Sequence, residues 1–365
     1  MDHMQSVTQS RRSVALPRRP RVLPGLAVLR RNETEVQIGI DPQHGVLLDG
    51  LSEALVDLLP AMTGEATLRD LLDRLPDEPA RQAARDLLAS LTDAGVVEDA
   101  APPEGPPGPH TPARLSADAT AWALRTGNER GLLVRNRQQA AVSVRGDGRL
   151  GIAIACLLAA AGVGWVDFAA VGTVRAEDTG TGYLDTDVDT PRQEAGLAAI
   201  HRAVCTARTG PLPPSRKPDL AILTDLVVPS PSLIAPLQAE GVPYLLVRMR
   251  DGTGVVGPLT VPGRTSCPTC MDLLRTDLDP AWPLLALQLA GRLQPGDLAA
   301  TQAAAGLAVT QALVTLDWWL ADGAAPALVN SSLEIDTVTA TVTPRPWEPH
   351  PDCRCGAAGA REASV

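Results

Sequence analysis

Four of the six cysteines in this 365-residue chain have a spacing that could hold a metal ion. Cys267 and Cys270 form a C-x-x-C pair, and Cys353 and Cys355 form a second close pair near the carboxyl terminus. Two pairs of thiolates make a tetrahedral zinc site, and paired cysteines inside cells favour metal over disulfides. We therefore predict a structural zinc ion that does not activate water. A disulfide pair and unrelated free thiols are the alternatives, and His350 is a substitute for one cysteine.

A glycine-rich turn carries the second chemical signal. The stretch AVSVRGDGRLG places Gly146, Gly148 and Gly151 in the spacing G-x-G-x-x-G. Between a strand and a helix, this spacing allows a tight turn, admits a phosphate and lets the helix pack closely. A nucleotide-binding loop of this kind also needs an acidic residue that ends the next strand and holds a ribose hydroxyl. The next strand, VGWVDFAAVG, ends without one, because Asp167 falls too early.

Residues 20–100 are predicted to form a small unit of strands and helices. The pieces LAVLRR, EVQIGID and HGVLLDG are apolar or alternating and are separated by turn residues, which predicts three short antiparallel strands. Three helical patterns follow, with Ser52 and Thr67 as caps of the first two and Pro79 in the first turn of the third.

Residues 101–115 are rich in proline and glycine, which is typical of a semi-stiff linker. After the linker, apolar strand and helix patterns alternate, and this alternation predicts right-handed βαβ units in a mostly parallel sheet. The predicted fold class is therefore α/β, with a Rossmann-type doubly wound domain over residues 116–356 and a disordered tail over residues 357–365.

Composition narrows the class of protein. The chain has 45% hydrophobic residues and a net charge of -10, which indicates a globular protein and argues against nucleic acid as a partner. The N-terminal stretch lacks the apolar region of a secretory signal, and no apolar run reaches the length of a membrane span. We expect a cytoplasmic protein that does not bind a membrane.

The strand and helix alternation, the segment AAAGVGWV and the two cysteine pairs resemble the ThiF and MoeB adenylating proteins over about residues 115–356. The resemblance implies ATP contacts by two strand-end acids, an arginine in an S-N-L-x-R-Q stretch, a lysine that opens the next helix and an aspartate in a T-D-N turn. In this chain the acids fall on Ala170 and Gly172, and the arginine stretch falls on AEDTGTGYL. Arg192 takes the lysine position, and only Asp225 matches.

Longer phrases resemble a narrower group. GDGRLG, GVVGPLTVPGRTSCPTCMDLLRTDLDPAWP and RPWEPHPDCRCG are similar to the ocin-ThiF group, the TOMM-precursor leader-peptide-binding partners of YcaO-type cyclodehydratases. This resemblance implies that the N-terminal unit is a winged-helix-like RiPP recognition element. The leader of a ribosomal precursor peptide is then expected to add as a strand beside the third strand, and the YcaO-type partner uses ATP to form azolines.

The resemblance also implies which residues bind the leader peptide. An exposed strand edge supplies main-chain hydrogen bonds, and an apolar groove beside it selects side chains. Ordinary core packing of these residues and a DNA-binding winged helix are the alternatives, although the third helix is too acidic for a groove of DNA. The implied residues are Val46, Leu47 and Leu48 on the edge, Ala84, Leu88 and Leu91 on the groove floor, and Arg81 and Arg85 on its rim.

We therefore expect a non-catalytic scaffold that presents a precursor peptide to a cyclodehydratase, with homodimerisation implied by the ThiF resemblance. An ATP-dependent adenylating enzyme acting on the carboxyl terminus of a peptide or sulfur carrier is the alternative. An NAD-dependent oxidoreductase fits the glycine spacing but lacks the ribose acid. The expected remnant of a nucleotide site consists of Gly146, Gly148, Gly151, Arg192 and Asp225.

Overall fold

The computed structural model describes residues 5–6, 15–100, 113–321 and 325–360. Most of the predicted linker (residues 101–112) and the end of the predicted tail (residues 361–365) lie outside the described residues. The chain packs into two compact units, residues 1–135 and residues 136–365.

The first unit is built on a small sheet whose order is β1-β5-β4-β3. The three strands predicted from the sequence are β3, β4 and β5, and they pair antiparallel. A separate two-stranded sheet pairs β2 with β6, and the sequence pattern does not reveal this pairing because the two segments are far apart in the chain. The strands are β1 (Gln5–Ser6), β2 (Pro20–Val22), β3 (Val28–Arg30), β4 (Val36–Ile38), β5 (Val46–Leu48) and β6 (Val97–Asp99).

The helices of the first unit begin close to their predicted positions. Thr67 caps its helix in a reciprocal hydrogen-bonded box with Asp70, and Asp77 caps the long third helix by accepting from Ala80 N. Ser52 makes no such cap. The helices are α1 (Glu53–Leu58), α2 (Leu68–Leu72), α3 (Glu78–Asp93), α4 (Ser116–Thr126) and α5 (Arg130–Gln139), the last of which crosses into the second unit.

The second unit contains one large mixed sheet in the order β14-β13-β12-β11-β10-β7-β8-β9. Strands β11, β10, β7, β8 and β9 run parallel, as the alternation predicts. The strands are β7 (Ala141–Arg145), β8 (Trp165–Ala169), β9 (Arg208–Thr209), β10 (Leu220–Thr224), β11 (Tyr244–Arg250), β12 (Thr253–Thr260), β13 (Ser331–Asp336) and β14 (Thr341–Pro346).

The antiparallel half of this sheet differs from the expected mostly parallel one. Strands β11 to β14 form a meander of antiparallel pairs. The two-residue turn Asp251-Gly252 joins β11 to β12, and both of its residues have positive φ. That turn matches the right-handed twist of a hairpin, so Asp-Gly between two apolar runs is the signal that indicates it.

Helices cover both faces of the large sheet. Helix α11 packs against α6 and against β11 and β12, and a row of its alanines is completely buried. Within the described residues it is the one helix long and apolar enough to cross a membrane, but half of the stretch Leu298–Trp318 is buried inside the unit, as in a core helix. The helices are α6 (Arg149–Ala160), α7 (Arg192–Ala203), α8 (Pro231–Ala239), α9 (Pro268–Leu278), α10 (Trp282–Leu289), α11 (Leu298–Ala321) and α12 (Ala357–Ala360).

Strand β7 occupies the point at which the winding of the sheet reverses. Its neighbours are β8 on one side and β10 on the other, and the glycine-rich turn follows β7 directly. In open α/β sheets, ligands bind in the crevice outside the carboxyl ends of the strands at this kind of switch point. The fold therefore places the sequence GDGRLG where a ligand site is expected.

Candidate functional site

The glycine-rich turn lies against the end of β10. A Cβ added to Gly146 would lie 1.7 Å from Thr224 Oγ1, and one added to Gly148 would lie 3.1 Å from an oxygen of Asp225. Gly151 is similarly close to Thr224. The three glycines therefore allow a backbone approach that no other residue at Gly146 permits without movement of the strand end.

Asp225 is held in a strained conformation at the bottom of this contact. Its φ is +72°, in the left-handed region that few residues other than glycine adopt. Its Oδ2 accepts hydrogen bonds from Thr224 Oγ1 at 2.6 Å and from Gly148 N at 3.2 Å. Burial raises the pKa of Asp225 despite these two donors.

A cavity of about 180 Å³ opens beside Asp225 and the glycine-rich turn. Three arginines and three acids line it, and the guanidinium groups that are not committed to a buried ion pair can meet an anion. The opposite wall comes from Met249, the loop before α11 and Thr301. The charged and loop residues at the cavity are Arg149, Arg175, Glu177, Asp178, Arg192, Asp225 and residues 293–296.

Arg192 forms a buried ion pair in this cavity. Its Nη2 lies 2.7 Å from Asp178 Oδ2, and both side chains are about nine-tenths buried. Its Nη1 donates to Val171 O at 3.1 Å and lies over Gly172, one of the two positions where the resemblance expects an acid. The lysine position of the resemblance is thus filled by an arginine that fixes the loop after β8.

Asp167 has a structural partner instead of a ligand. Its carboxylate accepts hydrogen bonds from Arg145 at 2.7 and 3.3 Å and from Ser143 at 3.2 Å. The side chain is buried within β8. The structure therefore agrees that this acid sits too early in the strand to reach a ribose.

Sequence analysis missed Arg175, Asp178 and the loop before α11 as parts of the site. Arg175 directly precedes the stretch AEDTGTGYL, in which the resemblance places an arginine. Its side chain is 69% exposed and its closest ion pair, with Glu177, is loose at 3.7 Å. An arginine a few residues from the expected position was the available signal.

The four predicted cysteines lie together and apart from this cavity. Their sulfur atoms all lie within 4.8 Å of one another. The distances are 3.8 Å from Cys267 to Cys270, 3.7 Å from Cys267 to Cys353, and 3.6 Å from Cys270 to Cys355. Zn–S bonds of about 2.3 Å in a tetrahedron set sulfur atoms about 3.8 Å apart, whereas a disulfide needs about 2 Å. The cluster therefore fits a metal ion; its identity as zinc stays a prediction.

His350 is not a fifth candidate ligand. Its Nε2 lies 3.0 Å from Asp277 Oδ2, and its Nδ1 accepts from Asp352 N at 3.1 Å.

Within the cysteine cluster, the hydrogen bond from Cys267 lowers the pKa of Cys270 to about 4, while burial raises the pKa of Cys353 to about 11. Because metal ligation requires deprotonated cysteines, a bound cation would displace the protons of these thiols.

The residues implied to bind a leader peptide all lie in the first unit. Val46 and Leu48 are buried, and Leu47 is half-buried between them. The backbone of Gln5–Ser6 pairs in parallel with Val46 and Leu47, so the open edge of β5 does accept a strand. In this structure the strand comes from the chain itself.

The residues that were predicted to form the floor and the rim of the peptide groove contact other residues of the first unit. Ala84, Leu88 and Leu91 are completely buried in the core of the first unit, and offer no surface to a peptide in this arrangement. Arg81 and Arg85 both pair with Glu78, at 3.3 and 2.9 Å. Peptide binding by this set of residues stays a prediction.

Comparison with known proteins shows the fold. No family model and no curated protein matches the chain. Among solved structures, E. coli MccB with ATP is 15% identical with a TM-score of 0.65, over 92% of this chain and 99% of MccB. The microcin C7 biosynthetic enzyme MccB in complex with N-formylated MccA gives 14% and 0.65 over the same shares. PaaA is 14% identical with a TM-score of 0.63, over 88% of this chain and 98% of PaaA.

These matches extend over both units, and the chain shares the fold of MccB and PaaA. They contradict the expectation of a non-catalytic scaffold, because the structures that share the fold belong to a biosynthetic enzyme solved with ATP and with an ATP analogue. That expectation came from the resemblance to leader-peptide-binding partners of cyclodehydratases and from the absent strand-end acids, arginine and lysine; it did not include Arg149 and Arg175, which line the cavity.

The contact between Gly146 and β10 can be tested by adding one methyl group. We expect Gly146→Ala to lower the free energy of unfolding by about 1–3 kcal/mol, because the new Cβ overlaps Thr224. Gly306→Ala is the matched control: it lies in α11 with open space around its Cβ and should stabilise the helix by about 0.5–1 kcal/mol. Urea unfolding measures both, and equal effects would contradict the assignment.

The cysteine cluster predicts bound metal. We expect the purified chain to carry about one metal ion, and Cys270→Ser to lose most of it with about 3 kcal/mol of stability. Elemental analysis and thermal unfolding measure the two effects. Cys205→Ser, at an exposed cysteine outside the cluster, should change neither. Wild-type protein that remains metal-free after growth in zinc would contradict the prediction.

Proposed function

We propose that this chain is an ATP-dependent enzyme that activates a carboxylate of a ribosomally made peptide by adenylation. The observation that carries the proposal is the cavity at the switch point of the sheet, where three arginines and Asp225 surround the glycine-rich turn. The shared fold with MccB, whose structures include ATP, supports the same choice.

The charge arrangement suits a polyphosphate. Arg192 is committed to Asp178, but Arg149 and Arg175 hold only a backbone carbonyl and a loose surface ion pair. These two side chains are therefore available to neutralise phosphate oxygens as negative charge builds up in the transition state. Asp225, once ionised, faces the same space and can hold the divalent cation that accompanies ATP.

The proposed chemistry needs few groups from the protein. A carboxylate oxygen of the peptide attacks the α-phosphorus of ATP, a new O–P bond forms, the bond to the β-phosphate oxygen breaks, and pyrophosphate leaves. Position and electrostatic stabilisation supply most of the catalysis in such phosphoryl chemistry. The glycine-rich turn allows Thr224 and Asp225 to pack against its backbone and thereby positions Asp225 at the cavity.

The part of the proposal that concerns peptide binding is based on the first unit. The edge of β5 accepts a strand, and the comparison enzyme MccB is known in complex with MccA. We propose that a leader peptide takes this edge in place of Gln5–Ser6 and is thereby tethered to the chain that carries the cavity. A YcaO-type cyclodehydratase partner, a homodimer and a cytoplasmic location stay predictions from the sequence.

The cysteine cluster is assigned a structural role in this proposal. We infer that it holds zinc, because four thiolates complete the coordination of that ion and leave no position for water. The ion would tie the segment around Cys353 and Cys355 to the start of α9. It would take no part in the transfer of the adenylyl group.

Pyrophosphate exchange tests the proposed reaction. With ATP, Mg²⁺ and the precursor peptide encoded beside the chain, wild type should exchange labelled pyrophosphate into ATP. Arg149→Ala and Arg175→Ala should each reduce the exchange about tenfold or more, because each removes a cation from the cavity. Arg208→Ala, an exposed arginine on Trp165 away from the cavity, should leave it unchanged.

Two results would overturn the proposal. One is an absence of both exchange and ATP binding in wild type at millimolar nucleotide. The other is exchange that survives unchanged in the double variant of Arg149 and Arg175, because the cavity would then not be the site of the reaction.

We expect Asp225 to lower the stability of the folded chain at neutral pH while it contributes to nucleotide binding. Its ordinary pKa is 3.8 and burial raises it in the folded chain, so the native state keeps a proton that the unfolded state releases. Wild type therefore loses stability as the pH rises above about 4. Asp225→Asn should remove that part of the loss, which gives a higher Tm at pH 7 than wild type, while weakening binding of Mg²⁺-ATP. Thermal unfolding from pH 4 to 8 and calorimetric titration measure the two effects; a lower Tm at pH 7 would contradict the first.

A further inference from the structure

The face of the large sheet opposite the cavity carries a concentration of arginines. Met249 lines the cavity, and its neighbour Arg248 faces the other side because successive side chains of a strand alternate. Arg250 shares that face on β11, and Arg345 joins it from β14. Arg275 approaches from α9. Four guanidinium groups thus gather on one face of a chain whose net charge is -10.

Two carboxylates pair with three of these four arginines. Glu334 forms ion pairs with Arg250 at 2.9 Å and with Arg345 at 3.5 Å, and Asp272 accepts a hydrogen bond from Arg275 at 3.2 Å. These groups leave an excess of two positive charges. Because Glu334 is shared by two arginines, it neutralises the charge of each of them only in part.

Arg248 is the most isolated of the four. It is 3% exposed, and within the described part of the chain no carboxylate lies within 4 Å of it. Its hydrogen bond to Gly257 O is long, at 3.4 Å. Burial, followed by repulsion from Arg275 and Arg250, lowers the pKa of Arg248 to about 9. The interior of this face therefore favours additional negative charge.

Two tryptophan rings stack against the guanidinium groups of Arg275 and Arg345. Arg275 lies 4.6 Å from the ring of Trp282 and 4.9 Å from that of Trp347, and Arg345 lies 4.7 Å from Trp347. A guanidinium stacked on an aromatic ring keeps its N–H donors at the edge of its plane, where they suit a carboxylate. The side chains of Arg250 and Arg345 are 31% and 44% exposed, so a ligand can reach them.

Strand β14 limits how a partner can bind here. It is the edge of the sheet and all six of its residues are exposed. Pro344 and Pro346 lack the N–H donors that an added strand would need. A partner is therefore expected to bind through side chains on the face rather than by extending the sheet.

We propose that the arginine–tryptophan face, formed by Arg250, Arg275, Arg345, Trp282 and Trp347, binds an acidic segment of a polypeptide through its carboxylates. Charge complementarity argues for this occupant. A long nucleic acid fits less well, because the surrounding chain is acidic and repels an extended polyanion. The proposal does not depend on the nucleotide cavity, which lies on the other side of the sheet.

Binding of a model acidic peptide tests the proposal. Fluorescein-labelled octaglutamate is titrated with the full chain and followed by anisotropy at low salt. Wild type should bind it, and Arg250→Gln combined with Arg345→Gln should weaken binding at least about tenfold. Arg208→Gln, which removes another arginine stacked on a tryptophan 4.3 Å away at a distant position, is the matched control and should bind as wild type does.

Several results would overturn the proposal. They are no binding of octaglutamate by wild type, equal binding by wild type and the double variant, or tighter binding of an eight-nucleotide oligothymidylate than of octaglutamate. If the double variant does not fold, Arg345→Gln alone decides the outcome, because this side chain is 44% exposed on an edge strand. A failure here leaves pyrophosphate exchange unaffected, so the two proposals fail separately.

Discussion

The second unit depends on the approach of the glycine-rich turn to the end of β10. With no Cβ at Gly146, the backbone after β7 can lie directly against Thr224. This approach lets Asp225 accept from Gly148 N while it holds a left-handed conformation. The cavity exists because two parallel strands end side by side and the chain leaves them in opposite directions.

The arginines of this acidic chain are concentrated on the two faces of the large sheet. On the cavity side, arginines meet acids that lie in loops, so part of their charge remains available to a ligand. On the other side, Arg250, Arg275 and Arg345 pair with two acids, and two of these arginines stack on tryptophans. The side chains of two adjacent residues of β11, Arg248 and Met249, lie on opposite faces of the sheet. The alternation of a single strand therefore separates two potential binding sites by the thickness of a sheet.

Local patterns predicted the regular elements well. Turn residues between apolar pieces placed β3, β4 and β5, and Thr67 marked the beginning of α2. Pairings between distant segments were not visible, because β2 and β6 are three residues each and have no local signal that names the partner. The sequence-based prediction missed the antiparallel half of the large sheet, although the dipeptide Asp251-Gly252 is a signal for its first hairpin. The non-catalytic expectation was wrong because it followed a resemblance and the absence of matching motif residues, whereas the arginines at the cavity come from segments that the motif does not include.

The sequence by itself determined which residues can do chemistry. Cysteine pairs at positions 267–270 and 353–355 and glycines that follow a strand are recognisable from type and spacing, and the resemblance to ThiF and MoeB adds Asp225. Only the tertiary structure decided which of them meet. It brought the sulfur atoms of the two cysteine pairs within 4.8 Å of one another and placed Arg149, Arg175 and Arg192 around a common cavity. Spacing along the chain constrains neighbours within a helix or strand, whereas contacts across the sheet depend on strand order and register, which local patterns do not encode.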